Sequence, residues 1–293
     1  MDFIYFAAMV HSLRQTGTRC DIIGIVDSHV HRFLPKYRRL VQEYNILFYR
    51  VQLQSTAYIS PLFYKVFAWD LIQWPRVVFV EPESIVRNNI DHMFQMTEGT
   101  GSCPFGRRHV DWNDGVFVLV PRNVDHLLLL DVVTKKMSQA TAAWTKVGNV
   151  AMQRCTTCGR EAPAVDVTLI NTTSHLLKWF FEVVKQKQVC SLDALMYNCL
   201  VQFMRCDQRK PALILHYGGM LRPLQRWEKS NATYPVTPPQ MKMVEDFTVA
   251  DSHAAETLFP RLRRKLGRDP KRVEEHMRKW YKVYYNIYPL LLN

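Results

Sequence analysis

The chain has 293 residues, 48% of them hydrophobic and 22% charged. That composition excludes wholesale disorder, and the length suits one large domain or a domain with an appendage. No run approaches the ~18 uncharged apolar residues of a membrane-spanning helix, and the opening MDFIYFAAMVHSLRQ reads as an amphipathic helix rather than a signal peptide. The net charge is +12, from 38 Lys and Arg against 26 Asp and Glu. Between Arg261 and Lys282 ten cations stand against three acids, so this tail carries most of the excess. The remainder is only mildly basic, and no nucleic-acid partner is expected. Seven cysteines, an odd number, do not make a disulfide framework and point to a reducing, cytoplasmic setting. N-x-T sequons at Asn171 and Asn231 keep a Golgi or secretory lumen as the alternative.

In chain order, residues 2–16 have apolar positions at helical spacing and stop at Thr16-Gly17. The run CDIIGIVD (20–27) predicts a buried strand. Residues 33–44 predict a basic amphipathic helix, ILFYRVQL (46–53) a second strand, and 62–72 a helix closed by Trp74-Pro75. RVVFVEPES (76–84) is the most apolar strand, followed by a short helix near 88–95. GVFVLVP (115–121) predicts a strand, and Asn123 caps a helix to about 136. This alternation argues for a parallel, doubly wound α/β sheet. Residues 137–165 are aperiodic. Helices are expected over 174–187 and 192–205, a strand over 211–219, a wrapping loop over 228–250 and a basic, aromatic helix at the end.

The stretch VVFVEPESIVRNNIDHMF (77–94) carries the chemistry. Alternate residues of a strand face the same way, so Glu81 and Glu83 project together from its carboxyl end. Pro82 cannot donate to a ladder and marks the end of pairing. Two carboxylates in the crevice of a doubly wound sheet suit a hard divalent cation, Mn or Mg, that bridges the phosphates of a nucleotide. The plain alternative is a solvated acidic turn. Cys155-Thr156-Thr157-Cys158 has zinc-knuckle spacing without a second pair, and reads as an ordinary loop. Lys65 alone would be a snorkelling lysine, His216 a satisfied histidine at a strand end and Asp193 an acid at a helix start. Tyr281, Tyr284, Tyr285 and Tyr288 read as helix packing.

Several of these segments together resemble the family-8 glycosyltransferases, the group of glycogenin and galactinol synthase. Ser12-Leu13-Arg14-Gln15-Thr16-Gly17 is similar to that family's S-L-R-x-T-G, and Tyr64-Lys65-Val66-Phe67-Ala68-Trp69 to its [TS]-K-x-x-x-W. Val80-Glu81-Pro82-Glu83-Ser84-Ile85-Val86 stands where the family has D-x-D-[ST], and Asn89-Ile90-Asp91-His92-Met93-Phe94 where it has N-I-D-x-L-F. Trp112-Asn113-Asp114-Gly115-Val116 resembles F-N-[ST]-G-V, and His216-Tyr217-Gly218-Gly219-Met220-Leu221-Arg222-Pro223 resembles H-[FY]-x-G-x-x-K-P. The matches cover about 2–135 and 190–227.

The resemblance implies a GT-A fold with a doubly wound mixed sheet, and transfer of a sugar from a nucleotide-sugar donor, UDP-linked, with retention. Residues 1–227 would form that domain, with an insertion at 137–189, and 228–293 a C-terminal helical extension. The acceptor is open: glycan, protein or small polyol. Glu81, Glu83 and His216 would hold Mn or Mg. Asp2, Tyr5, Lys65, Asn113, Gly115, Gly219 and Arg222 would bind the sugar donor, and Asp193 would act at the sugar or acceptor. The family's first strand, ahead of its D-x-x-Y helix, has no counterpart; both metal-site aspartates are glutamates, and the Gln after the motif Asp is Ala194. A degenerate GT-A domain serving as a binding module is the competing class, and anionic-surface binding through the basic tail a third.

Overall fold

A computed structural model describes residues 2–51, 59, 61–102, 113–138, 145–147, 150–154, 161–163, 170, 172–187, 189–201, 206, 211–217 and 270–291. Helix α1 (Asp2–Gln15) leads to strand β1 (Ile22–Val26), helices α2 (Ser28–Phe33) and α3 (Arg38–Glu43) and strand β2 (Ile46–Arg50). A 3₁₀ run over Pro61–Asp70 precedes β3 (Val77–Val80), β4 (Ser84–Val86), a 3₁₀ turn over Asp91–Gln95, β5 (Gly101–Ser102), β6 (Asn113–Leu119) and α4 (Asn123–Ser138). Then come β7 (Thr145–Val147), β8 (Val150–Arg154), β9 (Glu161–Pro163), α5 (Thr173–Trp179), β10 (Cys190–Leu192), α6 (Ala194–Tyr197), β11 (Cys199–Leu200), β12 (Ile214–His216) and α7 (Pro270–Leu291).

The α/β class is as expected, and the pairing is mixed rather than parallel throughout. Strands β1 and β2 run parallel, Ile22 beside Ile46 and Val26 beside Arg50. Strand β3 pairs antiparallel with β6, Val77 beside Leu119 and Val80 beside Val116, within the order β10-β5-β6-β3. A third sheet sets β12 between β11, parallel, and β4, antiparallel. The antiparallel pairings of β3 and β4 depart from the parallel sheet that the alternation alone suggests and agree with the mixed sheet that the resemblance implies, and the Pro82 turn carries the chain from one sheet to the next.

Other departures are local. The basic helix expected over 33–44 is broken into α2, a 3₁₀ turn over Leu34–Tyr37 and α3. Pro35 lacks the N–H that a continuous helix would use there. The helix expected over 192–205 is one turn, α6, followed by β11. Cys199 is drawn into the sheet beside Leu215 and forms a disulfide with Cys206, so not all the cysteines are reduced. The aperiodic stretch after 137 contains the antiparallel order β7-β8-β9. Cys155, Cys158, Asn171, Asn231 and the loop expected over 228–250 lie outside the described residues.

Two helix ends show why the S-L-R-x-T-G segment folds as it does. Gly17 closes α1 at φ +81°, a conformation that favours glycine. The Ser12 hydroxyl accepts from Val86 N–H at 3.0 Å, tying α1 to β4. The Arg14 guanidinium donates to the carbonyls of Cys20 at 2.8 Å and Tyr44 at 3.1 Å, tying the start of β1 to the end of α3. Helix α7 packs on α1, with Tyr5 against Trp280 at 5.5 Å and Trp280 stacked on Tyr284 at 5.5 Å. That supports the packing reading for Tyr284.

The central core is aromatic. Trp69, fully buried, meets Phe117 at 5.9 Å, Phe180 at 5.5 Å and Phe181 at 5.8 Å between ring centres. These contacts fix the face of the Pro61–Asp70 run and therefore where Lys65 points. Every residue of β1 and of β3 lines one groove of about 1300 Å³. Alternate residues of a strand face one side, so consecutive lining residues mean that the groove lies along strand edges. Among the described residues neither strand is paired on that side. The groove also reaches Lys65, Glu81 and Glu83. Truncating the ring that organises this core, Trp69→Ala, should cost ~3–5 kcal/mol in urea denaturation, whereas Phe33→Ala at an exposed helix end should change stability by less than about 0.5 kcal/mol.

Candidate functional site

Two sheets deliver the site. Strand β3 ends at Val80, and the Glu81 N–H donates to the Gly115 carbonyl at 2.8 Å, which seats Glu81 beside the start of β6. After the turn at Pro82, β4 pairs with β12 so that Ser84 lies opposite His216. The Tyr217 N–H donates to the Glu83 carbonyl at 2.8 Å. Glu81, Glu83 and His216 thereby offer ligand atoms that all lie within 4.8 Å of one another. Their meeting follows from a change of sheet at the turn, and not from simple strand alternation.

Lys65 enters from the 3₁₀ run. Its Nζ lies 2.6 Å from Glu81 Oε1 and 2.7 Å from Asp114 Oδ2, and donates to the Asp114 carbonyl at 3.1 Å. Ser174 donates to the other Asp114 oxygen at 2.6 Å. Burial alone would lower the pKa of the Lys65 ammonium, but Glu81 and Asp114 outweigh it and hold it above the ordinary lysine value. Burial likewise pushes Glu81 up, and Lys65 and His216 reverse this, holding its carboxyl well below the usual carboxylate range. Glu81 is therefore an anion at any ordinary pH.

His216 is 4% exposed, and its Nε2 stands 2.9 Å from Glu81 Oε2 without hydrogen-bond alignment to it. Its Nδ1 meets Asn198 Oδ1 at 2.8 Å. Gly115 makes this approach possible, because a Cβ there would stand 2.7 Å from His216 Cε1 and 2.8 Å from Nδ1. Asn113 accepts from Gly115 N–H at 2.9 Å and from Asn198 Nδ2 at 2.6 Å. A buried imidazole nitrogen with no hydrogen-bond partner, beside two carboxylates, fits a divalent cation of the Mn or Mg type.

The other expected residues divide. Lys65, Glu81, Glu83, Asn113, Gly115 and His216 come together. Tyr5 lines the groove but is buried against Trp280. Asp2 opens α1. Asp193 is exposed at the N-cap of α6, where its Oδ1 accepts from Leu195 N–H at 2.9 Å, and no contact described joins it to the cluster. Gly219 and Arg222 lie outside the described residues. Asp114, Ser174 and Asn198 were not expected. Asn198 ends the same Asp193–Asn198 motif, and that position was its one sequence signal.

No family model matches the chain. Over 135 residues, 45% of this chain, it is 24% identical to the putative UDP-glucuronate:xylan alpha-glucuronosyltransferase 3 of Arabidopsis thaliana. Over 131 residues, 42% of this chain, it is 28% identical to Glycogenin-1 of Caenorhabditis elegans. The chain is similar to family-8 glycosyltransferases. The aligned stretches span 21% of the plant relative and 30% of the worm relative. The crystal structure of the glycosyltransferase GlyE of Streptococcus pneumoniae superposes with a TM-score of 0.47 and 14% identity, covering 79% of this chain and 58% of that one.

Two substitutions probe the glycosyltransferase-like site. Lys65 depresses the Glu81 pKa, so the stability it confers is present above the ordinary carboxylate value and is lost as pH falls through the folded one. Lys65→Met leaves Glu81 and Asp114 without their shared ammonium and should cost about 3 kcal/mol at neutral pH. The deficit should shrink below about pH 4, as carboxylates protonate. Urea denaturation of both proteins across that range reads it. Gly115→Ala should displace His216 and weaken Mn binding about tenfold or more, measured by calorimetric titration.

Proposed function

We propose that the chain transfers a sugar from a nucleotide-sugar donor to an acceptor hydroxyl, with the Glu81–Glu83–His216 cluster as its cation site. The observation that carries this reading is the cluster itself, with ligand atoms within 4.8 Å and Lys65 beside it at the groove. The plant relative's name specifies UDP-glucuronate, which supports a UDP-linked donor, and retention of configuration is part of the same reading.

The chemistry has one central demand. As the bond between sugar and diphosphate breaks, negative charge grows on the leaving phosphate. A bound Mn or Mg would neutralise that charge. Glu81, Glu83 and His216 would hold the ion. Lys65 would supply a second cation to the phosphates, and its contacts with Glu81 and Asp114 fix where that ammonium stands before the sugar donor arrives. Arg222 and the Gly219 backbone would extend the phosphate contacts, with Asp2 and Tyr5 on the nucleotide side. Asn113 and Gly115 would border the sugar, and Asp193 would meet sugar or acceptor.

Among the described residues no helix is long and apolar enough to cross a membrane. The Cys199–Cys206 disulfide favours an oxidising compartment, such as a secretory lumen, over the cytoplasm.

Melting of the purified chain with Mn and UDP tests the reading. Ligand at a hundredfold excess over Kd stabilises by about 2.7 kcal/mol, a rise of several degrees in Tm. The rise should need both Mn and UDP and should vanish in Glu83→Ala and His216→Ala. A folded wild type that shows no shift at millimolar ligand would assign the chain to the degenerate class.

A further inference from the structure

We propose that Asn198 is a positioning residue that fixes the tautomer of His216 and so presents an Nε2 lone pair to the cation site. The proposal rests on the cation-site reading above. It follows from a chain of hydrogen bonds whose direction is set at one end by the backbone.

A backbone N–H can only donate. The Gly115 N–H therefore fixes the atom it meets, 2.9 Å away, as the oxygen of Asn113. That same oxygen lies 2.6 Å from a terminal atom of the Asn198 amide. Two amide oxygens would repel at this distance, so the Asn198 atom is the nitrogen, Nδ2. Its second N–H donates to the Ser102 hydroxyl at 2.9 Å. The Asn198 oxygen must then be the atom facing His216 Nδ1 at 2.8 Å. An amide oxygen only accepts, so Nδ1 carries the proton. In the neutral imidazole Nε2 is left with a lone pair, the form a metal requires.

The surroundings of Nε2 agree. It is buried and has no aligned hydrogen-bond partner, and it stands 2.9 Å from Glu81 Oε2. A lone pair and a carboxylate oxygen repel each other, and a cation shared between them removes the repulsion. Without Asn198 the ring can turn the problem around. Its proton would move to Nε2, Glu81 would accept it, and the nitrogen would be closed to a metal. Asn198 is itself held in place. It is 1% exposed, and the next two residues are paired with β12 so that Leu200 lies beside His216.

Three forms of the full chain separate this role from a merely structural one: the wild type, Asn198→Leu and Asn198→Asp. Leucine keeps the volume and removes both the acceptor and the N–H groups. Aspartate keeps an acceptor for Nδ1 and removes the N–H groups that bind Asn113 and Ser102. Mn affinity, by calorimetric titration, should fall about ten- to a hundredfold in Asn198→Leu and stay within about threefold of wild type in Asn198→Asp. Equal losses in both variants would overturn the proposal and assign Asn198 to its bonds with Asn113 and Ser102. The ¹⁵N signals of His216, identified by their loss in His216→Gln, give a second readout without metal. With the imidazole neutral, Nδ1 should bear the proton in wild type and Asn198→Asp, and Nε2 in Asn198→Leu. An Nε2 proton in wild type would overturn the proposal even if Mn binds. A wild type that binds no Mn but keeps the proton on Nδ1 would instead bring down the cation-site reading and leave the relay standing. If Asn198→Leu does not fold, the wild-type signal and the Asn198→Asp affinity decide.

Discussion

A carboxylate drawn out of water stays charged only beside a cation, and Glu81 has the Lys65 ammonium at 2.6 Å. This requirement organises much of what surrounds it. Lys65 can reach Glu81 because Trp69, four residues on, is locked among Phe117, Phe180 and Phe181. Asp114 holds the same ammonium from the other side, and Ser174 holds Asp114. Helix α5, which carries Ser174, packs through Leu176 and Leu177 into the core that contains Trp69. Charge and packing are thus two aspects of one arrangement.

The second constraint is the turn at Pro82. An apolar strand that continued in one sheet would keep Glu81 and Glu83 along a single ladder. Instead β3 pairs with β6 and β4 pairs with β12, and the turn lies between the two sheets. The missing N–H of proline suits a position where no ladder bond is made. Glu81 is anchored through the Gly115 carbonyl and Glu83 through Tyr217 N–H, so each sheet holds one carboxylate. His216, at the end of β12, meets both. A site split across two sheets can bring together residues that lie 135 positions apart in sequence.

Much of this was legible before any coordinates. Apolar runs rich in Val and Ile gave β1, β3 and β6, and the Thr16-Gly17 stop gave the end of α1, because those signals are local. The residues Lys65, Glu81, Glu83, Asn113, Gly115 and His216 were readable as a group through the order of their motifs. The antiparallel pairing of β3 with β6 was not readable from the residues themselves, because an apolar run has the same pattern in parallel and antiparallel pairing. Residues 192–205 looked helical, since Leu195, Met196 and Leu200 suit either state; pairing of Cys199 beside Leu215 decides the matter from outside the segment. Asp114 and Asn198 were missed for a related reason. Each acts through a partner distant in sequence, and no local rule marks such a residue.

The glutamates raise a question of geometry that the contacts partly answer. Where the motif of the resembled family has aspartate, each carboxylate here extends one methylene further. Glu81 uses that reach to serve two groups at once, with Oε1 toward Lys65 and Oε2 toward His216. An ionised carboxylate has about four lone-pair positions, so Glu81 could help hold a cation while it keeps its contact with Lys65. Binding of metal therefore does not require Lys65 to leave. In the proposed transfer, Glu81, Glu83 and His216 would hold the ion and Glu81 would also hold the Lys65 ammonium, so that both charges would be placed before the bond breaks. Placement before the reaction is what gives fixed charges their catalytic value, because no solvent or side chain must reorganise at the transition state.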